Sequence, residues 1–236
     1  MIDYQLIRSA RRKTLGLQVK QGEIIVRAPV FLTDKQIQGF VSEKSDWLKS
    51  KLEQQESKLV PHVIPFTQDS FIWINGEKKK LNITYQPIAQ ILNLKEEIRV
   101  VLPLRSLYQQ NKLSCADFTK KKVKKQLESW FKLQANTYIS KRLPELSLQT
   151  GLLPKSYKIR QYKARWGSCN NRDELSFNYL LMMAPIWVID YVIIHELCHL
   201  KHLNHSKEFW HLVKHHAPEF QQAKAWLKKY QRELIW

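Results

Sequence analysis

The alternation of apolar and polar positions sorts the chain into a strand-rich first part and a helix-rich second part. Leu15, Leu17 and Val19 alternate with polar residues, and this period of two predicts a strand over 14–20. Residues 4–9 and 23–27 read the same way, with Arg11-Arg12-Lys13 and Gln21-Gly22 as turns. Thr33 is placed to cap a helix reaching residue 59, because Ile37, Phe40, Val41, Trp47, Leu48 and Leu52 fall near one face. A connector over 60–65 leads to strands at 71–74 and 81–85. Asn75-Gly76 is the turn signal between them, in a loop that has room to be longer than two residues. Ile98, Val100 and Leu102 alternate in another strand that ends at Pro103. Residues 1–112 are therefore expected to form a β-rich part with one helix, and 113–236 a second domain.

The second part opens on a helix with Ser114 and Asp117 as a capping box and Val123, Leu127, Trp130, Phe131 and Tyr138 at helical spacing. Gly151 and Pro154 break it. Strands are predicted over 157–164 and 174–181, with 165–169 as a turn. Pro185 suits the first turn of the next helix. Two further helices follow, one near Ser206 and one after Pro218. The fold class read from this order is α+β, with a small sheet over the helix that starts after Pro185.

That helix carries His195-Glu196-Leu197-Cys198-His199, with His205 six residues further on. At about 3.6 residues per turn, His195 and His199 lie about 40° apart on one face, so both imidazoles reach one ion. Glu196 lies about 100° from His195 and about 60° from His199, beside such an ion, where a base for a zinc-bound water belongs. Ile186, Ile189, Val192, Ile193, Leu197 and Leu200 would bury the helix, and buried histidines around a Glu need partners. Seven of the eight histidines fall between 195 and 216, and His202, His211, His215 and His216 read as surface or supporting residues.

The third ligand requires a chain reversal. His202 is in phase with His195 but about 10 Å further along a straight helix, too far for bonds of about 2.1 Å. His205 reaches the ion only if the helix stops, and Asn204 tolerates the left-handed conformation that ends helices. Metzincins share this spacing but have Gly where this chain has His202. Glu208 and Glu219 are alternative third ligands.

Composition narrows the setting. The chain has 236 residues, 44% hydrophobic and 25% charged, which is ordinary for a soluble globular protein. Three cysteines without C-x-x-C spacing suggest reduced thiols and a cytoplasmic location. Arg8, Arg11, Arg12 and Lys13 interrupt any signal-like apolar core, and the apolar run 180–194 is broken by Pro185 and Asp190, so no membrane span is expected. Net charge is +18, of which residues 1–118 carry +6 and the rest +12. This fits an anionic partner (nucleic acid, nucleotide or an acidic protein) and equally fits solvated helix faces; Lys120-Lys121-Lys122 and Lys124-Lys125 pose the choice between phosphate binding and a solvated face.

Several segments together resemble the YgjP-like metallopeptidase-domain family, described as metal-dependent hydrolases related to SprT-like and WLM zincins. They are Arg165-Trp166-Gly167-Ser168-Cys169, Phe177-Asn178, the run from Asp190 through His199, Asn204-His205-Ser206 with Phe209-Trp210, and near the N-terminus Arg11 to Leu15 and Val26 to Pro29. The resemblance covers nearly the whole chain; Phe177 stands where the family often has Leu. It implies a zincin-like fold, zinc on His195, His199 and His205, and a catalytic Glu196. Some members carry the label UTP pyrophosphatase, so the family name leaves the substrate open.

The residues then define roles. Arg165 is a candidate to stabilise negative charge on a carbonyl or phosphoryl oxygen, or else a structural arginine of its turn. Trp166 reads as core, Cys169 as a thiol without a clear base, and Asn178 as a holder of either the turn or a substrate backbone. The leading expectation is a zinc metallopeptidase acting on a peptide or protein, with the strands at 157–164 and 174–181 offering an edge to the substrate. The alternatives are a nucleoside-triphosphate pyrophosphatase and a nucleic-acid-binding protein with a structural zinc.

Overall fold

The N-terminal alternation produces three strands, β1 (Gln5–Ser9), β2 (Gly16–Lys20) and β3 (Glu23–Pro29), in a computed structural model that describes residues 3–20, 23–59, 64–108, 115–162 and 164–236. The expected turn at 21–22, most of the connector at 60–65, the boundary at 112/113, Ser114 of the capping box and Lys163 lie outside the described residues. β3 is the central strand, parallel to β1 and antiparallel to β2. Its inward residues Ile24, Val26 and Ala28 are buried with Ile37, Val41 and Leu48. The single helix expected over 34–59 is two helices, α1 (Asp34–Glu43) and α2 (Ser45–Leu59). Thr33 and Gln36 form a capping box at the start of α1, satisfying backbone donors that its first turn leaves open. At Lys44 the backbone leaves helical geometry (φ −94°, ψ 13°), and the chain restarts with Asp46 at the positive end of the α2 dipole.

The second sheet is built from β4 (Phe71–Ile74), β5 (Glu77–Gln86), β6 (Gln90–Asn93) and β7 (Glu97–Pro103), in the order β4-β5-β7-β6 with β5 and β7 parallel. Its hairpin loop is only Asn75 and Gly76, both with positive φ (50° and 87°), so β5 starts earlier than expected and takes in Lys78 to Lys80. The N–H groups of this tip donate to Met182 O at 3.0 Å and Met183 O at 2.9 Å. A Cβ on Gly76 would stand 2.5 Å from Pro185 Cγ, so the tip fits against the start of the motif helix only as glycine.

After the short α3 (Arg105–Tyr108), α4 (Cys115–Thr150) runs for 36 residues and passes through Pro144. Ile98, Val100 and Leu102 of β7 share a core with Val123, Leu127 and Phe131 of α4. Gln126 Nε2 also donates to Gln90 O at 2.9 Å and Val101 O at 3.0 Å. By this packing the second sheet belongs with the helices, and the chain divides into Met1–Pro61 and His62–Trp236 rather than near residue 112.

The third sheet differs from the sequence expectation in a way that matters for the site. β8 (Ser156–Arg160) is shorter than predicted, and part of the expected turn is a strand, β9 (Gly167–Cys169). β10 (Glu174–Asn178) ends where Asn178 Oδ1 accepts the N–H of Leu180 at 3.2 Å, capping a 3-10 turn at Tyr179–Met183. The order β8-β10-β9 makes β10 central, so an open edge belongs to β8 or β9 and not to 174–181. The chain closes with α5 (Ile186–Cys198), α6 (Lys207–His216) and α7 (Phe220–Tyr230). Seven helices and three mixed sheets among the described residues make the fold α+β. None of the described helices is long and apolar enough to cross a membrane.

Candidate metal centre

α5 is apolar almost all round: Val188, Ile189, Val192, Ile193 and Leu197 are buried. Of its two acids, Asp190 and Glu196, the first is tied to α4. Arg142 Nε lies 3.1 Å from both carboxylate oxygens, Arg142 Nη2 donates at 2.8 Å and Tyr138 O–H at 2.7 Å. Burial and the acceptor carboxylate raise the Tyr138 phenol above its ordinary value, so it stays a donor. This clamp sits five residues before His195, and the 48 residues separating Arg142 from Asp190 leave no local signal of it in the sequence.

The chain reverses immediately after the second histidine. α5 stops at Cys198, with His199 as its right-handed C-cap (φ −67°, ψ −19°). The next turn is closed by Leu200 N–H to Leu197 O at 3.0 Å and Lys201 N–H to Cys198 O at 3.2 Å. The left-handed conformation expected at Asn204 is not used: among described non-glycine residues positive φ occurs at Phe66, Asp69, Asn75 and Asp173. Asn204 acts through its side chain instead, Oδ1 accepting Ser206 N–H at 3.2 Å, and Ser206 Oγ then caps α6 by accepting Phe209 N–H at 3.3 Å.

This turn brings His205 back over α5. One ring nitrogen from each of His195, His199 and His205 lies within 4.8 Å of the others, and the Nε2 atoms of His195 and His205 are 3.2 Å apart. Glu208 and Glu219 are outside this group. Ser206 holds the exposed Glu208 carboxylate below the usual range, and Glu219 accepts from Gln222 Nε2. His202 contributes only its carbonyl, which accepts from His199 Nδ1 at 2.9 Å.

The donor set fits a single ion of the zinc type. Two nitrogens bonded tetrahedrally at about 2.1 Å stand about 3.4 Å apart, close to the His195–His205 separation. The bond to His202 O places the His199 proton on Nδ1 and presents Nε2 to the centre. Tyr191 O–H, 3.4 Å from His195 Nδ1, occupies the equivalent outer position on the first histidine. Burial pushes His195 down to about 3 and also lowers His205, which favours the neutral ring that a metal ligand requires. Aromatic rings fix the planes: Phe209 stacks on His199 with centroids 4.4 Å apart, and Trp210 on His205 at 5.5 Å.

Beside the histidines, Glu196 is 5% exposed, and burial pushes its carboxyl up to about 8 against the opposing field of Arg165. The histidines and Glu196 open into a pocket of about 400 Å³. One wall is Trp166 with β9, and Val192, Leu203 and Leu227 give apolar surface. Arg165 is exposed at this pocket with its guanidinium 5.6 Å from the Tyr162 ring, and among the described residues no carboxylate pairs with it. Asn178 holds the preceding loop, Nδ2 donating to Tyr162 O at 2.9 Å and Arg165 O at 3.2 Å. Its role is therefore in the turn. Trp166 both packs on the core and lines the pocket. The Cys169 thiol is pushed up to about 11, first by burial, which disfavours the thiolate at neutral pH.

A family model described as YgjP-like, metallopeptidase domain, matches residues 13–230, while no curated protein and no solved structure matches. The match runs from the turn before β2 to the last residue of α7 and takes in every residue of the centre, so the chain belongs to the YgjP-like metallopeptidase-domain family of metal-dependent hydrolases.

Proposed function

We propose that this protein is a zinc-dependent peptidase in which His195, His199 and His205 hold the ion and Glu196 is the general base. The carrying observation is the convergence of three imidazoles beside a buried carboxylate in a pocket walled by β9. When bound, zinc supplies a Lewis acid that brings the pKa of a coordinated water to about 7.

The chain's own residues do the rest. Glu196 takes a proton at a carboxylate oxygen and delivers it to the leaving amine, a role worth on the order of 10²–10⁴ in rate. Its burial raises its proton affinity, which suits a group that must hold the proton between the two transfers. Arg165, free of a carboxylate partner among the described residues, stabilises the negative charge that develops on the carbonyl oxygen. β9 is an edge strand that lines the pocket, and an extended substrate pairs its backbone there. The apolar surface of Trp166, Leu203 and Leu227 keeps water from the remainder of the site.

Two other readings fit less well. A nucleoside triphosphate needs its charge neutralised by Mg²⁺ or clustered basic residues, and Arg165 is the one Lys or Arg lining the pocket among the described residues. A structural zinc is normally closed by four protein ligands, usually with Cys, whereas this group offers three histidines. The free thiols of Cys169 and Cys198 agree with a reducing, cytoplasmic location.

The test is to incubate wild type and Glu196→Gln with casein, a DNA-bound basic protein and nucleoside triphosphates, then measure cleaved peptide and released pyrophosphate. Peptide cleavage by wild type alone is expected. Pyrophosphate release without peptide cleavage would overturn the peptidase reading.

A further inference from the structure

A second groove, of about 470 Å³, lies between α4 and the β6–β7 side of the second sheet, and it shares no lining residue with the metal centre. Its apolar surface comes from Ile91, Leu102, Pro103 and Trp130. Arg105, Lys122 and Lys125 also line it, and among the described residues no carboxylate does. Among the described residues none of these three cations is in an ion pair, and the Lys122 ammonium lies 5.2 Å from the Phe118 ring. Three like charges around one concavity repel each other, and an anionic ligand relieves that repulsion. The groove is preorganised, since Gln126 bridges its two sides by donating to both Gln90 O and Val101 O.

Two exposed aliphatic residues adjoin the lining residues along the chain, Ile88 before Ala89 and Leu104 between Pro103 and Arg105. Ile88 is 76% and Leu104 42% exposed, and the Leu104 N–H bond to Gln86 O at 3.0 Å keeps their two segments together. Together with the apolar groove floor they offer aliphatic surface to a partner. Their chemistry separates two kinds of polyanion. Single-stranded nucleic acid stacks its bases on open ring faces, whereas Trp130, the one ring lining this groove among the described residues, is half-buried and packed edge-on against Phe131 at 4.9 Å. Aliphatic carbon beside cations instead complements aliphatic side chains flanked by carboxylates.

We infer that this groove docks an acidic peptide segment whose Leu or Ile side chains seat on Ile88, Leu104 and the groove floor while its carboxylates meet Arg105, Lys122 and Lys125. The inference does not depend on the metal centre.

The test is fluorescence anisotropy with the full chain and three labelled probes. These are a short Glu/Asp-rich peptide with Leu at helical spacing, the same peptide with Lys in place of the acids, and an oligothymidylate. The acidic peptide should bind, the Lys version should not, and Glu196→Gln should bind as tightly as wild type. Arg105→Glu combined with Lys122→Glu and Lys125→Glu should weaken binding by more than about tenfold, as should Ile88→Asp. Lys125→Glu alone, checked by circular dichroism, gives a smaller loss in the same direction and guards against misfolding. No binding of the acidic peptide, binding that these variants leave unchanged, or oligothymidylate binding in its place would each overturn the inference.

Discussion

Gly167 and Glu196 occupy adjoining space: a Cβ at position 167 would lie 2.6 Å from Glu196 Cγ and 2.7 Å from its Oε1. Gly167 is not among the residues with positive φ, so the constraint is one of volume and not of backbone conformation. The absent side chain lets the edge strand β9 run against the carboxylate. Glu196 thereby adjoins β9 in the pocket that the three histidines also line. Gly167→Ala should move the carboxylate without touching a ligand. We expect metal content unchanged and kcat/KM reduced by about 10²-fold, the scale of misplacing a reacting group by about an ångström. Metal analysis beside a rate assay checks this; a wild-type rate would show that the Glu196 position is not critical.

His205→Ala should weaken metal binding, because His205 closes the three-nitrogen group. Glu208→Ala and Glu219→Ala should bind metal as wild type does. Competition with a chromogenic chelator measures all three. Unchanged affinity in His205→Ala together with a loss in either Glu variant would reassign the third ligand.

The parts of this site that were legible in the sequence are those with short-range logic. His195, Glu196 and His199 follow from the helical period, and Pro185 and Ser206 from terminus chemistry. The reversal to His205 was anticipated, but its means was not: an Asn side-chain acceptor replaced a left-handed backbone. β9 was hidden because three residues containing a glycine carry too little alternation to separate a strand from a turn. The break at Lys44 was hidden because apolar spacing continues across it. Contacts between distant positions, such as Asp190 with Arg142 and Tyr138, leave no periodic trace at all.

That clamp predicts a stability effect. Arg142→Ala leaves the Asp190 carboxylate, 18% exposed, with Tyr138 as its remaining hydrogen-bond donor among the described residues. Loss of a charge-assisted pair at such a site costs about 1–3 kcal/mol. For a chain of this size that lowers Tm by about 2–4 °C per kcal/mol. Thermal unfolding of Arg142→Ala and Asp190→Asn should show similar losses. A Tm within a degree of wild type in both would make the clamp energetically idle.

Cys169 gives a pH prediction. Its thiol, pushed up to about 11 by burial and then by the charges of Glu196 and Asp173, is protonated at pH 7. The reactive thiolate therefore grows with rising pH, by about tenfold per unit while the pH stays below that value. Iodoacetamide labelling of the Cys169 peptide, followed by mass spectrometry, should be slow at neutral pH and still climbing at pH 9 and 10. A plateau near pH 8 would mean that the thiol is not desolvated as its surroundings imply.

Arg165 carries the last prediction. Its guanidinium is exposed at the pocket and rests by Tyr162, and its backbone carbonyl is held by Asn178. A structural arginine would be expected to pair with a carboxylate, but none does so among the described residues, while its positive field already opposes the upward shift of Glu196. An interaction made mainly with developing negative charge should appear in kcat more than in KM. Arg165→Ala is therefore expected to keep its metal and its Tm, to lose about 10²-fold in kcat, and to change KM by much less. Arg165→Lys should recover part of that loss, because a point charge replaces the fork without its geometry. Asn178→Ala, which frees the loop but leaves the guanidinium in place, should lower kcat together with thermal stability. Equal losses of Tm in the Arg165 and Asn178 variants would assign Arg165 to the turn and leave the carbonyl oxygen without a protein partner.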